Sequence, residues 1–343
     1  MQKLPRGTGR TTRQRPTLKT IAELTGLSLS TVSLALRGGG ALKEETSRKV
    51  AEAAKQLGYV PDRAGVRLRT GKTNVIALVL SGDDEAIDFA RHMILGIGKA
   101  ISGTRYHLNV MPEFPGADPV ESVRYILENR VADGVIITHT TPRDPRVQLL
   151  MDHDFPFVSH GRTEFYTPHA AHDFHSEAFI EMAVSRLVKL GCRDLMLTIG
   201  YGSTTNYYNL TRSFREATYR LGVRGREHTQ EVGALKAADL RSFGEQIARM
   251  PDRPDGLICD SETRAMPLLG GLVDGGGRLG TDIKVICKLT SDVLPMVYPS
   301  VETIEEDVYA AGIELTRLLL RRIAGEPPDA LRTLGEPIPH WTD

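Results

Sequence analysis

The sequence predicts an α/β protein in two parts: an N-terminal three-helix helix-turn-helix module, then a larger two-lobed body built on parallel sheets. Two observations predict it. The helical spacing of apolar residues between Thr17 and Pro61 gives way at Val75 to short β-branched runs alternating with amphipathic helices. Charge is divided just as sharply: the chain carries 43 Lys/Arg and 43 Asp/Glu, but residues 1–73 hold 15 of the former and 5 of the latter, leaving the other 270 residues net negative by ten. At 343 residues the chain exceeds one ordinary core, which spans about 100–200 residues. Its 41% hydrophobic and 25% charged residues exclude a disordered or fibrous protein.

Residues 1–16, with Lys3, Arg6, Arg10, Arg13 and Arg15 among Gly and Thr, read as a basic tail. The first helix places Leu18, Ile21, Ala22 and Leu24 on a buried face and stops at Gly26. Ser28 supplies the cap of a second helix, from about Leu29 to Leu36, ended by Gly38-Gly39-Gly40. A third runs from about Glu44 to Leu57, burying Val50, Ala53, Ala54 and Leu57, and closes at Gly58. On the second helix Val32, Ala35 and Leu36 turn toward the other two, which leaves Ser30, Ser33, Leu34 and Arg37 facing outward. Hydroxyls, one alkyl group and one Arg on a free helix face suit a DNA major groove about 12 Å wide. The net charge of +10 over residues 1–73 makes a polyanion the natural partner.

In the body, strands are expected at 75–80, 106–111, 133–138, 155–159, 194–199, 254–259 and 283–288, with helices between them at 119–130, 175–190 and 209–221. The chain is expected to cross first from one lobe to the other near Ser159 to Gly161. Ligands of such sheets collect beyond the carboxyl ends of the strands. The residues expected there are Ser81 to Asp84, His139, His160 to Arg162, Asp173, Tyr201 to Asn206, Asp260 to Glu262 and Lys288 to Thr290. Such hydroxyls, carboxylates and cations beside aromatics suit a polyhydroxylated ligand.

Other chemistries fail on context. Gly71-Lys72-Thr73 ends like a phosphate-binding loop, but it precedes a strand instead of opening a helix, and the required earlier glycine falls on Val66. His169, His172 and His175 share a face only on a helix, so they read as a polar cleft rim and not a metal site. Cys192, Cys259 and Cys287 are distant, odd in number and set in apolar runs, which makes them buried free thiols. No cofactor and no enzymatic activity are expected. The basic start has no apolar run behind it, and no stretch approaches the roughly 18 apolar residues of a membrane span. A cytoplasmic protein without membrane contact is expected.

The string TLKTIAELTGLSLSTVSLALRGGGALKEETSRKVAEAAKQLGYVPDRAGVRLRTGKT, followed at once by VIALVL, resembles the N-terminus of LacI/GalR-family regulators. The remainder resembles that family's periplasmic-binding-protein-like body. The resemblance implies a division into residues 17–61 for reading DNA, 62–73 as a hinge, and 74–343 for effector binding and dimerisation. It places Leu29, Ser30 and Leu34 at base-reading positions, with Thr17, Ser28, Thr31, Ser33, Arg37 and Thr46 on the phosphate side or supporting. It makes Leu68 a minor-groove wedge in a hinge that becomes helical on DNA. Of the residues at the strand ends, Ser81, Asp84, His139, Arg162, Asp173, Asn206, Asp260, Lys288 and Thr290 are the expected effector contacts, and the resemblance strengthens Arg162 and Asp173 among them.

The chain departs from the family pattern at several points. Leu34 stands where Arg is common, Gly65-Val66 where the hinge often has Ala-Arg, and Leu210 where an Arg often binds ligand. Asp260-Ser261, Lys288-Leu289-Thr290 and Glu305-Glu306 also break the usual pocket. The resemblance implies a homodimeric regulator, a repressor by expectation, of a carbon-catabolism operon, allosterically controlled by a sugar or sugar derivative. The other reading of a two-lobed body is a solute-binding protein of a sugar transporter. Gly65 predicts a hinge poorly ordered without DNA, and the absence of leucine heptads near Trp341 predicts a dimer and not a tetramer.

Overall fold

The computed structural model describes residues 16–36, 42–59, 63–81, 87–114, 116–200, 202–229 and 236–342. Arg37, Asp84 and Tyr201 lie outside them, and of Ser81 only the backbone is described. The chain divides into two compact units, Met1–Thr73 and Asn74–Asp343.

In the first unit α1 (Leu18–Thr25), α2 (Leu29–Ala35) and α3 (Glu44–Leu57) enclose a small core of Ile21, Val32, Val50, Ala53 and Ala54. Thr17 and Thr20 form a reciprocal capping box at the start of α1, and the Ser28 hydroxyl accepts from the Thr31 amide at 3.2 Å to cap α2. α1 and α3 end at Gly26 and Gly58, whose φ of +70° and +64° close each helix with a left-handed cap. Leu24, expected inside, is 51% exposed: the eight-residue α1 turns only a narrow stripe toward α2 and α3, and Ile21 and Thr25 fill it. Leu57 is half-buried. The segment expected to be poorly ordered is instead a helix, α4 (Arg63–Thr70). Gly71 at φ +70° caps it, donating its amide to the Arg67 carbonyl at 2.8 Å.

The second unit holds two six-stranded sheets. The chain runs β1 (Val75–Ser81), α5 (Ile87–Ile101), β2 (His107–Glu113), α6 (Glu121–Asn129), β3 (Gly134–Ile137), α7 (Pro145–Asp152), β4 (Phe157–His160) and β5 (Ala171–Phe174). It continues through α8 (Ser176–Lys189), β6 (Asp194–Ile199), α9 (Thr205–Arg220), β7 (Arg224–Thr229), α10 (Ala237–Arg249), β8 (Gly256–Cys259), α11 (Glu262–Asp274), β9 (Lys284–Leu289), α12 (Val293–Val297) and β10 (Glu302–Glu305). It ends with α13 (Val308–Ile323), β11 (Arg332–Gly335) and β12 (Ile338–His340).

The first sheet has the order β11-β5-β4-β3-β1-β2, all parallel, and the second β12-β10-β9-β8-β6-β7, parallel except for the β10–β12 pair. Buried apolar runs such as Gly134–Ile137 explain why the central strands tolerate helices on both faces. All three cysteines are buried and free.

The crossover expected near Ser159 to Gly161 lies later. After β4 the chain still adds β5 to the first sheet, and enters the second lobe only through α8, which packs on β8 and β9. It returns after β10, when α13 packs on β3, β4 and β5, and then contributes β11 to the first sheet and β12 to the second. The body is thus joined by three connections, near residues 175, 306 and 336. No helix among the described residues is long and apolar enough to cross a membrane.

Candidate DNA-reading helix and effector cleft

α2 is seven residues long and flanked by both α1 and α3, so little of its circumference is free. Leu29 and Ser30 are exposed; Thr31, Ser33 and Leu34 are half-buried, not fully outward, because packing comes from two sides. The hydroxyls form a chain, Ser28 Oγ lying 2.8 Å from both Ser30 Oγ and Thr31 Oγ1. Thr17 and Ser28 cap helices as well as standing at the ends that present free amides, and such N-termini favour phosphate. Thr46 sits half-buried in the first turn of α3. Leu68 on α4 is 90% exposed, an apolar side chain with no covering of its own.

In the body, a cavity of about 1070 Å³ opens where the carboxyl ends of the strands meet. Its wall takes Glu113 from the end of β2, His139 just after β3, and His160 and Asp173 from β4 and β5 of the first lobe. From the second lobe it takes Gly200 after β6, Asp260 after β8, Lys288 from β9 and Glu306 after β10. Both sheets reverse strand order beside their first strand, and ligands of open α/β sheets bind at such switch points.

The floor is a charged network that crosses the lobes. Lys288 Nζ donates to Glu306 Oε2 at 2.6 Å and lies 5.2 Å from the centre of the Phe174 ring. His160 Nε2 stands 3.4 Å from Glu306 Oε1 without hydrogen-bond geometry. Burial pushes the His160 imidazole down to about 4, against the pull of Glu306, so it is neutral near pH 7. Burial opposes charge on Glu306 and Lys288 too, but each holds the other ionised: the carboxylate lies below its ordinary range and the ammonium above. Phe89 meets His139 and His160 edge-on, at 5.2 and 5.3 Å between ring centres. His139 adopts φ +54°, a left-handed conformation uncommon for a side chain of this kind.

Around this floor stand two more ion pairs. Arg264 donates to Asp260 at 2.6 Å, and Asp260 also accepts from the Gly200 amide. Arg146 is held by Asp144 at 2.7 Å, by the Thr138 and His139 carbonyls at 3.1 and 3.2 Å, and by Glu113. Asp144 caps α7 with Pro145 in its first turn, which fixes the chain that carries Arg146. Glu262 accepts from Thr290 Oγ1 at 3.0 Å. Burial raises both the Glu113 and the Glu262 carboxyls above their ordinary value, more than Arg146 lowers the first or the hydroxyls of Ser291 and Thr290 the second.

The sequence-expected residues divide accordingly. His139, Asp173, Asn206, Asp260, Lys288 and Thr290 all line the cavity, and Asn206 accepts from Ser176 Oγ at 2.6 Å. Arg162 does not line it: its guanidinium is engaged by Asp173 at 2.5 Å and by Glu177 at 2.8 and 2.9 Å, so it braces the wall from behind. Ser81 ends β1, and Asp84 is outside the described residues. The three histidines expected at the rim are absent from the lining. His169 and His172 are buried beside Thr163 and Thr333, and His175 pairs with Glu336; of β5 only Asp173 and Phe174 reach the cleft, while His172 pairs with Thr333 of the neighbouring β11. Leu210 is fully buried in the second lobe's core.

Glu113, Arg146, Phe89 and Tyr125 escaped the sequence reading. The Asp144-Pro145 helix start was one signal that could have found Arg146.

Residues 17–62 match the model of bacterial regulatory proteins of the lacI family, and residues 184–342 that of a periplasmic binding protein-like domain. The chain is 27% identical over 330 residues to the HTH-type transcriptional regulator CelR of Thermobifida fusca, covering 94% of this chain and 96% of the relative. Two solved structures show the same fold. A CelR–cellobiose complex matches at a TM-score of 0.69 and 24% identity, over 95% of this chain and 99% of the other. A Lac repressor dimer bound to operator and the anti-inducer ONPF matches at 0.81 and 20%, over 96% and 98%. The helix-turn-helix unit and the two-lobed body therefore occur here in one chain as they do in transcriptional regulators and not in enzymes, and the protein belongs to the LacI family of DNA-binding transcriptional regulators.

Proposed function

We propose that this protein is a cytoplasmic, homodimeric repressor of a carbon-catabolism operon, released from or fastened to its operator by a sugar or sugar derivative bound between the lobes. One observation carries the reading: a cavity of about 1070 Å³ at the carboxyl ends of both sheets, lined by carboxylates, amide and hydroxyl groups beside Phe89, Phe174 and Tyr207. Polar groups that both donate and accept, set against aromatic faces, are the partners a pyranose needs. That a similar fold is held in a complex with cellobiose supports the ligand class, and a related dimer on operator DNA supports the partner.

In this reading residues 1–16 form a basic tail, 17–61 read DNA, 62–73 are the hinge, and 74–343 bind effector and dimerise. His139, Asp173, Asn206, Asp260, Lys288 and Thr290 contact the ligand, with Arg162 acting through Asp173. Leu29, Ser30 and Leu34 touch bases, while Thr17, Ser28, Thr31, Ser33, Arg37 and Thr46 support phosphate contacts. Leu68 enters the minor groove, and a change in lobe spacing stabilises or forbids the paired hinges.

The test is a selection from random duplexes followed by titration with and without sugars. A salt-sensitive complex with one enriched sequence is expected. A protein that binds sugar but ignores every duplex at moderate salt would be a solute-binding protein instead. Light scattering should give a dimer at micromolar concentration.

A further inference from the structure

Among the described residues, the wall of the cleft carries seven carboxylates against three cations, Arg146, Arg264 and Lys288. Each of those cations already holds a carboxylate: Arg146 those of Asp144 and Glu113, Arg264 that of Asp260, and Lys288 that of Glu306. Asp118 and Asp173 are paired in turn by Arg124 and Arg162 from outside the wall, so an anionic ligand would have to displace one of these pairs to meet a cation. Acceptors, by contrast, are in surplus. Among the described residues, Glu113 Oε1 and Glu262 Oε2 are shielded from water and have no hydrogen-bond donor, and Glu262 is only 4% exposed. A buried acceptor without a donor is costly, and a ligand hydroxyl supplies the missing proton.

Aromatic side chains stand at two depths. Phe174 is buried at the floor and Phe89 half-buried beside it, whereas Phe114 and Tyr125 line the same cavity while 65% and 52% exposed, which puts them at its mouth. The volume, about 1070 Å³, lies just above the range of about 300–1,000 Å³ typical of small-ligand clefts. A single sugar ring on the floor leaves the mouth aromatics bare.

We propose that the effector is an uncharged oligosaccharide of two or more rings, with one ring on the polar floor and the next against Phe114 and Tyr125. This rests on the reading of the cleft as a carbohydrate site. The cleft then discriminates against monosaccharides by leaving the mouth uncovered, and against uronic acids and sugar phosphates by charge.

Calorimetry on the full chain tests it with neutral probes (cellobiose, maltose, melibiose, sucrose and raffinose), monosaccharides (glucose, galactose), and charged sugars (glucuronic acid, glucose 6-phosphate). At least one neutral oligosaccharide should bind tenfold or more tighter than every monosaccharide and charged sugar. Tyr125→Ala and Phe114→Ala should each weaken that sugar about tenfold without moving the thermal midpoint of the free protein, since both side chains are largely exposed. Equal or tighter binding of a monosaccharide, glucuronic acid or glucose 6-phosphate overturns the proposal and leaves the carbohydrate reading standing. Unchanged oligosaccharide affinity in both variants also overturns it. No binding of any probe overturns both readings together.

Discussion

The reading helix α2 and the effector cleft handle polar groups in opposite ways. On α2, Leu29 and Ser30 stand exposed beside a core of five small or medium side chains, with the Ser30 hydroxyl, among the described residues, bonded only to its neighbour Ser28. In the cleft nearly every charge already has an internal partner, and at the floor a buried Glu306 holds Lys288, whose side chain is 14% exposed. A surface that reads a solvated polyanion can leave its groups in water at little cost, whereas a cavity that must exist before its ligand arrives has to neutralise the charges it buries. Substitutions on α2 should therefore change recognition with little loss of stability, and substitutions on the floor should change both.

The largest effect should come from Glu306→Ala, which strands the Lys288 ammonium. Breaking a buried pair by removing one partner costs about 3–5 kcal/mol. Urea unfolding should show a loss of this size, and a loss below about 1 kcal/mol would mean that water already reaches the pair.

Next is the pH dependence of the same floor. His160 is lowered from 6.5 to about 4 in the folded state, so between those values the unfolded chain binds the extra proton and stability rises with pH. The contribution is complete above pH 6.5 and falls as pH drops toward 4, by up to about 3 kcal/mol. His172 and His169, also lowered by burial, act in the same direction. His160→Gln should flatten the curve in that window relative to the parent, read from urea midpoints at successive pH values.

On the DNA side, Ser30→Ala and Leu34→Ala should alter the preferred base at their positions by about 1–3 kcal/mol, measured by competition among duplexes. Leu68→Ala should cost specific affinity and DNA bending by a comparable amount while leaving the unfolding midpoint unchanged, because the side chain is 90% exposed. If either change lowered stability by more than 1 kcal/mol, the contrast between surface and cavity would fail at that point. Smallest of all, Gly65→Ala should firm up α4 by about 0.5–1 kcal/mol, since a methyl group there meets nothing within 4 Å. Nonspecific DNA affinity should stay the same, and operator affinity should rise slightly.

The same contrast explains what could be read from the sequence. Helices α1, α2 and α3 were legible to within about a residue, though α4 was not, because caps and glycines are local signals: Ser28, Gly26 and Gly58 mark the ends that the structure uses. So were the central strands β1, β3, β6, β8 and β9, whose runs of Val, Ile and Leu are buried on both faces.

Strands β7, β10, β11 and β12 were missed, and β5 was left out of the expected strands although Asp173-Phe174 reads as a strand end feeding a helix. β7 reads Arg-Gly-Arg-Glu-His-Thr, and its edge position lets polar side chains stay in solvent or in ion pairs, so no apolar pattern marks it. Missing β5 misplaced the lobe crossing by about fifteen residues and put His169, His172 and His175 at the cleft rim. In the cleft itself, residues that follow a recognisable strand were found, His139, Asp260 and Lys288 among them. Glu113 was not, because β2 extends two residues beyond its apolar run. Tyr125 was not either, since a tyrosine within an amphipathic helix reads as ordinary packing.

The central claim is that one chain couples DNA reading to sugar binding, and fluorescence anisotropy of a selected duplex, titrated with the full-length protein at fixed salt, tests it most directly. Saturating the cleft with its best-bound neutral oligosaccharide should change duplex affinity at least about fivefold, and saturating the protein with duplex should change sugar affinity by the same factor. Duplex affinity that is identical with and without bound sugar would contradict the account.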